Sequence, residues 1–251
     1  MATNNNAAAP VVVLIGLLIG LLVVIGGFLL LRGDAPDELA IGDRADEVAG
    51  GDDATAVDDP ADAEAAVDEA VSGEIDIVGA WTLTADSVAG YRVVEDFIGG
   101  VADFEAVGRT STIEGELTIE DTSVTEASFS VDVASITSDD PRRDGQFTGP
   151  ILMADEFPTA DFVLVSPIDL GEVPDDGEVV NVDATGELTL RDFTVEVTFP
   201  LMATLEGAEV QVAGAVPVVF ADFGIDNPSN AFVSVRDEGV VEFSLFFEMA
   251  G

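Results

Sequence analysis

A charged corner at residues 139–144 carries the best-defined group of polar side chains in this sequence, Asp-Asp-Pro-Arg-Arg-Asp. Arg143 is a candidate for contacting the head group of a ligand, for example a phosphate, because a guanidinium presents a planar fork of hydrogen-bond donors. The alternative is structural: an ion pair between an arginine and a neighbouring carboxylate would order the corner. The residues alone leave both interpretations open.

Other chemistry has little support in the sequence. Adjacent carboxylates at 139–140, 175–176 and 222–226 offer the oxygen ligands that calcium prefers, but none follows the spacing of a calcium loop. The chain has no His, no Cys and no Lys, which removes the commonest general base and excludes thiolate chemistry. No nucleophile elbow, phosphate-binding loop or zinc motif is present. We therefore predict no catalytic residue, no metal site, no cofactor and no enzymatic activity.

The charge of the chain limits its partners. Fifty Asp and Glu residues stand against eight arginines, so the formal net charge is −42. Nucleic acid binding depends on cations that neutralise phosphates, so we expect no nucleic acid partner. Protein partners are not indicated by any motif.

The N-terminal part divides by composition. Residues 1–10 form a short tail, and residues 11–31 contain no charged side chain. A helix of this length rises about 1.5 Å per residue and spans roughly 30 Å, the hydrocarbon thickness of a bilayer. A cleaved signal peptide is the alternative, but its apolar region is shorter and follows a positive charge. We predict an uncleaved transmembrane helix that attaches the protein to the membrane.

The membrane helix leads to expectations about location and the following segment. A tail of ten residues is too small to be the functional part, so we expect a single-pass protein of the cell membrane with its C-terminal domain extracytoplasmic. Arg32 is a weak signal for the opposite orientation. Residues 32–79 are acidic and contain no aromatic residue, a composition typical of a disordered linker.

Residues 80–251 have the composition of a folded domain. They contain all but one of the 15 phenylalanines, together with the single Trp and the single Tyr. Apolar and polar residues alternate in about eight segments, and Gly- and Asp-rich turns separate them. This pattern predicts an all-β fold, either an antiparallel barrel or a β-sandwich.

Several short motifs of this domain resemble the YceI-like family of lipid- or polyisoprenoid-binding barrels. In chain order they are Trp81-Thr82-Leu83 with Ser87-Val88, Gly108-Arg109-Thr110, Glu114-Gly115-Glu116-Leu117, the strand from Val131 to Ile136, Arg143-Asp144, Phe157-Pro158 with Phe162, the segment from Gly186 to Arg191, and Ala221-Asp222-Phe223-Gly224-Ile225. The sequence departs from the family at Asp86, near which the family often has His, and at Asp192, where Gly is usual. The resemblance covers residues 80–249 and implies a lipocalin-like antiparallel eight-stranded barrel with an apolar lumen.

The resemblance also implies a lipid-like partner, a long polyisoprenoid-like chain held in the lumen. The residues predicted to face the lumen are Tyr91, Val93, Phe129, Val131, Val133, Phe162, Leu164, Leu188, Leu190, Val195, Val197, Phe199, Phe243, Leu245 and Phe247. Alternation alone favours a core filled by these side chains, and the resemblance shifts the interpretation toward a cavity. The sequence therefore predicts a membrane-anchored lipid-binding barrel, with a stalked β-sandwich that has no ligand cavity and serves as an interaction or structural module as the alternative.

Overall fold

The computed structural model describes residues 35–48, 76–97, 99 and 101–250 of this chain. The predicted tail 1–10 and the predicted membrane helix 11–31 lie outside the described residues, as do residues 32–34 and 49–75 of the predicted linker. Among the described residues, no helix has both the length and the apolar character needed to cross a membrane.

The described domain is built from β-strands with three short helical turns and two short helices. The strands are β1 Gly79–Leu83, β2 Val88–Phe97, β3 Val101–Thr110, β4 Ile113–Glu120, β5 Ser123–Asp132, β6 Thr137–Ser138, β7 Thr159–Leu164, β8 Ile168–Asp169, β9 Val179–Leu190, β10 Phe193–Glu206, β11 Glu209–Val219 and β12 Val233–Met249. The helices are Ala45–Val48 and Pro141–Gln146, and the turns are Val133–Ser135, Phe147–Ile151 and Phe220–Phe223.

Eight of these strands close into an antiparallel barrel. Their order is β1-β4-β5-β7-β9-β10-β11-β12, and β1 pairs with both β4 and β12. Strand β2 pairs with the same edge of β12 as β1 but at an earlier part of β12, and β3 and β6 continue from β2. Strand β8 pairs with β5. The prediction of an all-β, eight-stranded antiparallel barrel is confirmed, and the alternative β-sandwich is wrong because the closing pair leaves one continuous sheet.

Alternation in the sequence explains which side of each strand faces inward. Along β10, Val195, Val197 and Phe199 pack against the buried core, while the residues between them lie on the outer surface. Outer threonines pair across β9 and β10, where the hydroxyl oxygens of Thr185 and Thr198 lie 2.9 Å apart. Each strand therefore presents a dry face to the lumen and a wet face to solvent.

One end of the barrel is filled by the chain that follows β5. Residues 141–157, here called the plug, begin at a helix whose N-cap, Asp140, accepts a hydrogen bond from the backbone N–H of Arg142 at 2.9 Å. Phe147 of the plug stacks on Tyr91 of β2, with ring centroids 4.3 Å apart. Leu152 joins the same buried core. We call this the filled end, and the opposite end the mouth.

Residues 36–48, here called the docked segment, lie against the outer surface of the barrel. Arg92 donates a hydrogen bond to the carbonyl of Pro36 at 2.8 Å, and Arg109 donates one to the carbonyl of Asp37. Both guanidiniums pair with Glu242, at 3.1 Å and 2.7 Å. Glu242 is only 1% exposed, so the docked segment covers an ion triad on the wall.

A second set of contacts fixes the rest of the docked segment. Gln211 accepts a hydrogen bond from the backbone N–H of Gly42 at 3.0 Å, and Ser244 donates one to the carbonyl of Asp43 at 2.9 Å. Arg44 lies 4.1 Å from the ring centroid of Phe246 and pairs with Asp86 at 2.6 Å.

These contacts differ from the disorder predicted for residues 32–79. The physical reason is that most of them use backbone groups of the docked segment, which are satisfied by side chains far away in the sequence. The composition of a segment does not reveal hydrogen-bond partners that lie far away in the sequence. The predicted boundaries of the other N-terminal regions stay predictions.

The ion triad yields a prediction for stability. Glu242→Gln would remove the carboxylate that pairs with Arg109 and leave Arg92 paired with Glu105 alone, so we expect the free energy of unfolding to fall by about 3–5 kcal/mol. Denaturant unfolding of the full-length protein measures this. The control is Arg236→Gln, which removes the exposed Arg236–Asp103 pair and should cost about 1 kcal/mol or less. Equal effects of the two variants would contradict the assigned role of the triad.

Tyr91 yields a prediction for pH dependence. Burial at the filled end raises the pKa of Tyr91 above its usual value, so the folded state favours the neutral phenol. This contribution is complete below about pH 10, the pKa of an unfolded tyrosine, and stability should fall as the pH rises above it. Because Tyr91 is the single tyrosine, phenolate absorbance reports this residue alone. The native protein should ionise at higher pH than the denatured chain, and coincident titrations would contradict the burial of this ring.

Candidate functional site: an apolar cavity in the barrel

Four phenylalanines meet across the middle of the lumen. They are Phe129 of β5, Phe162 of β7, Phe199 of β10 and Phe243 of β12, here called the phenylalanine tetrad. The ring centroids of Phe129 and Phe162 are 5.2 Å apart, and those of Phe162 and Phe199 are 5.6 Å apart. Phe243 completes the ring of contacts, at 6.0 Å from Phe199 and 5.6 Å from Phe129. The strands thus place one large ring each at the same level of the barrel.

Glycines on neighbouring strands make room for these rings. A β-carbon at Gly186 would lie 2.3 Å from a ring carbon of Phe162, and one at Gly214 would lie 2.9 Å from a ring carbon of Phe243. Both distances are shorter than carbon atoms in contact allow. The rings therefore lie directly on the backbone of the adjacent strand.

A cavity of about 110 Å³ lies between the tetrad and the mouth and is partly open to solvent. Its exposed lining is apolar. An apolar cavity of about 150 Å³ in another protein stays dry and binds benzene, so this space is of the size that holds a small hydrocarbon group. What the arrangement can do chemically is bury an apolar chain, since Glu116, Ser128 and Thr204, which also lie around the cavity, contribute no exposed polar surface to it.

Seven of the residues predicted to face the lumen line this cavity: Phe129, Phe162, Leu164, Phe199, Phe243, Leu245 and Phe247. The others lie elsewhere. Val131, Val133, Leu188 and Leu190 are buried in the core without lining the cavity, and Tyr91, Val195 and Val197 are partly buried against that core. Val93 is half-buried beside Gly239. The lumen is therefore filled toward one end and hollow toward the other.

Several residues that line the cavity are not among those predicted to face the lumen. Among them are Val180, Val182 and Ala184 of β9, and Leu201, Ala203 and Leu205 of β10. Their alternation continues that of the selected residues on the same strands, so it was a signal that could have found them. Ile168 belongs to the two-residue strand β8, and Leu170 and Pro174 come from the loop that follows it, so no alternation indicated them.

Arg143 does not line the cavity. It pairs with Asp139 and donates a hydrogen bond to the hydroxyl of Ser138 at 3.3 Å, beside the plug. A carboxylate oxygen of Glu95 lies 3.9 Å away. This geometry matches the structural alternative, an ion pair that orders the charged corner. The role of Arg143 in contacting a head group stays a prediction.

Exposed carboxylates occur at both ends of the barrel, but most of the described arginines lie at the filled end. Exposed carboxylates flank the residues that line the cavity near the mouth: Asp76, Glu120, Asp121, Asp169, Glu172, Asp175, Asp176, Glu178, Glu206 and Glu248. Arg191 lies in the turn between β9 and β10 at the filled end, where it donates to the carbonyl of Gly224 at 2.8 Å. In the described part of the chain, no group of three or more acidic side chains is placed to hold a metal ion.

The chain is similar to several solved structures. A polyisoprenoid binding domain from Saccharophagus degradans, implicated in plant cell wall breakdown, is 18% identical, with a TM-score of 0.56; the match covers 68% of this chain and 98% of that domain. BcnA of Burkholderia cenocepacia is 22% identical over 63% of this chain and 95% of its own, with a TM-score of 0.48. A YceI protein of Campylobacter jejuni is 9% identical over 60% of this chain and 82% of its own, with a TM-score of 0.40.

At these identities the likeness to the Saccharophagus degradans domain shows a shared fold. No curated protein matches the chain. The family model of the YceI-like domain matches residues 81–247, which include all eight barrel strands except the first two residues of β1 and the last two of β12. This chain therefore belongs to the YceI-like domain family.

Proposed function

We propose that this protein binds a lipid-like ligand and holds its apolar, isoprenoid-like chain in the cavity between the phenylalanine tetrad and the mouth. The observation that carries the proposal is the apolar cavity itself, which is open to solvent at one end of a closed barrel. Burying apolar surface yields about 25 cal/mol per Å² before the costs of association. The polyisoprenoid-binding domain with the same fold supports this class of ligand.

The proposal includes a place in the cell. The apolar run at residues 11–31 would anchor the protein as a single-pass component of the cell membrane, with the barrel extracytoplasmic. The support is chemical: isoprenoid chains are nearly insoluble in water and reside in membranes, so a binding protein attached to the same membrane stays near its ligand.

The charge distribution favours a ligand whose head group carries no negative charge. The mouth is surrounded by exposed carboxylates, while Arg143 and Arg191 lie at the filled end. Arg44 is nearer to the mouth, but it is paired with Asp86 and Glu209. An anionic head group at the mouth would meet repulsion that is not compensated by these arginines.

Binding without catalysis is the proposed activity. A reaction needs a nucleophile or a general base aimed at the bound molecule, and the exposed lining of this cavity is apolar. The interaction-module alternative was based on a sandwich without a cavity, and the closed barrel does not support it.

Filling the cavity tests the proposal. Ala203 lines it on β10, so Ala203→Phe should abolish uptake of a neutral prenyl alcohol by the full-length protein in phosphatidylcholine nanodiscs. Ala215→Phe is the matched control, because Ala215 is exposed on the outer face of β11 and should leave uptake unchanged. Extraction and mass spectrometry, corrected for empty nanodiscs, measure uptake, and thermal unfolding checks that both variants fold. Equal uptake by both variants would exclude this cavity as the site.

The head group provides an independent test. A prenyl alcohol should bind about tenfold or more tightly than the diphosphate of the same chain, because adjoining like charges cost more than the roughly 1.4 kcal/mol that tenfold requires. Raising the salt concentration should reduce the difference in affinity between the alcohol and the diphosphate, because salt screens the repulsion between the diphosphate and the carboxylates. Equal affinities at low salt would show that the carboxylates at the mouth do not select the ligand.

A further inference from the structure

We infer that the phenylalanine tetrad is the floor of the binding site and limits how much of an apolar chain enters the barrel to about one or two isoprene units. This inference rests on the proposed function and deepens it. The site would then recognise the end of a chain, and the rest of a longer chain would remain outside the barrel.

Neighbouring rings of the tetrad are in contact and leave no gap for a chain between them. Neighbouring ring centroids lie 5.2–6.0 Å apart around the closed set of contacts. A hydrocarbon chain needs about 3.5–4.0 Å to the carbon atoms on each side, which is roughly 7–8 Å between facing atoms. Phe162, Phe199 and Phe243 are exposed by only 4%, 2% and 2%.

The lumen beyond the tetrad is occupied by protein. Val133 and Leu188 are 1% and 2% exposed, and the plug contributes Leu152 to the same core. A chain that passed the tetrad would have to displace these side chains, and their packing would be lost.

Two of the rings have little freedom to move aside. Phe162 lies on Gly186 and Phe243 lies on Gly214, so the backbone of the adjacent strand supports each ring from one side. Phe199 is held between these two rings through its contacts with both. Phe199 is therefore the residue whose removal would open the floor most directly.

The volume of the cavity between the tetrad and the mouth limits the length of apolar chain that fits inside the barrel. A space of about 110 Å³ is comparable to the roughly 150 Å³ cavity that holds one benzene molecule of six carbons. One isoprene unit has five carbons, and the partly open mouth admits some of a second unit. Removing the ring of Phe199 would add space for about one more unit.

Photochemical labelling measures how far the end of a prenyl chain enters the barrel. The full-length protein in phosphatidylcholine nanodiscs is irradiated with neutral prenyl alcohols of two, three or four isoprene units that carry a diazirine at the end remote from the hydroxyl. Labels should fall on the tetrad and on cavity residues such as Leu201 and Leu205, and not on Leu188 or Val197 beyond the floor, for all three lengths. In Phe199→Ala, labels should also reach Val197 or Leu188.

The matched control is Phe223→Ala. Phe223 is buried near the filled end, outside the cavity, so this variant loses a similar ring but should keep the wild-type labelling pattern. If Phe199→Ala does not fold, Phe199→Leu should show the same deeper labels at lower yield. Labels beyond the floor in the wild type, or an unchanged pattern in a folded Phe199 variant, would overturn the inference while leaving lipid binding intact. Absence of label inside the barrel with every probe would overturn the proposed function and this inference together.

Discussion

The pairing of β1 with β12 is the interaction on which the dry interior depends. It is short: three residue pairs join the strands, with Trp81 opposite Met249, and the backbone N–H of Ala250 donates to the carbonyl of Ala80 at 2.8 Å. Trp81 is buried, and its indole N–H donates to the carbonyl of Ile77 at 2.9 Å. Without this closure the sheet would have two open edges, and water would reach the inner faces of both edge strands.

Side-chain size along the lumen decides where the closed barrel is solid and where it is hollow. The four rings of the tetrad span the middle, and the plug supplies the missing volume on one side of them. On the other side the strands present small residues such as Ala184 and Ala203, and the loop after β8 adds only side chains such as Leu170 and Pro174 to the lining. The cavity thus results from a local shortage of side-chain volume within an otherwise well-packed core.

Sequence patterns predicted the strands because alternation is a local property of each strand, and the choice of a barrel over a sandwich came from the family resemblance. They could not separate a cavity from a filled core, since Leu164 and Leu188 have the same periodicity but lie on opposite sides of the tetrad. The level at which rings from four strands meet depends on register between distant segments. Motif comparison singled out Asp86 as a departure from the family, but the partner of Asp86, Arg44, lies in a segment whose composition indicated disorder.

The docked segment shortens the part of the chain that could act as a spacer. Pro36 is already fixed on the outer wall of the barrel, so only residues 32–35 separate it from the end of the predicted membrane helix. A spacer between that helix and the barrel would therefore consist of residues 32–35, and not of the whole acidic region 32–79 that composition indicated.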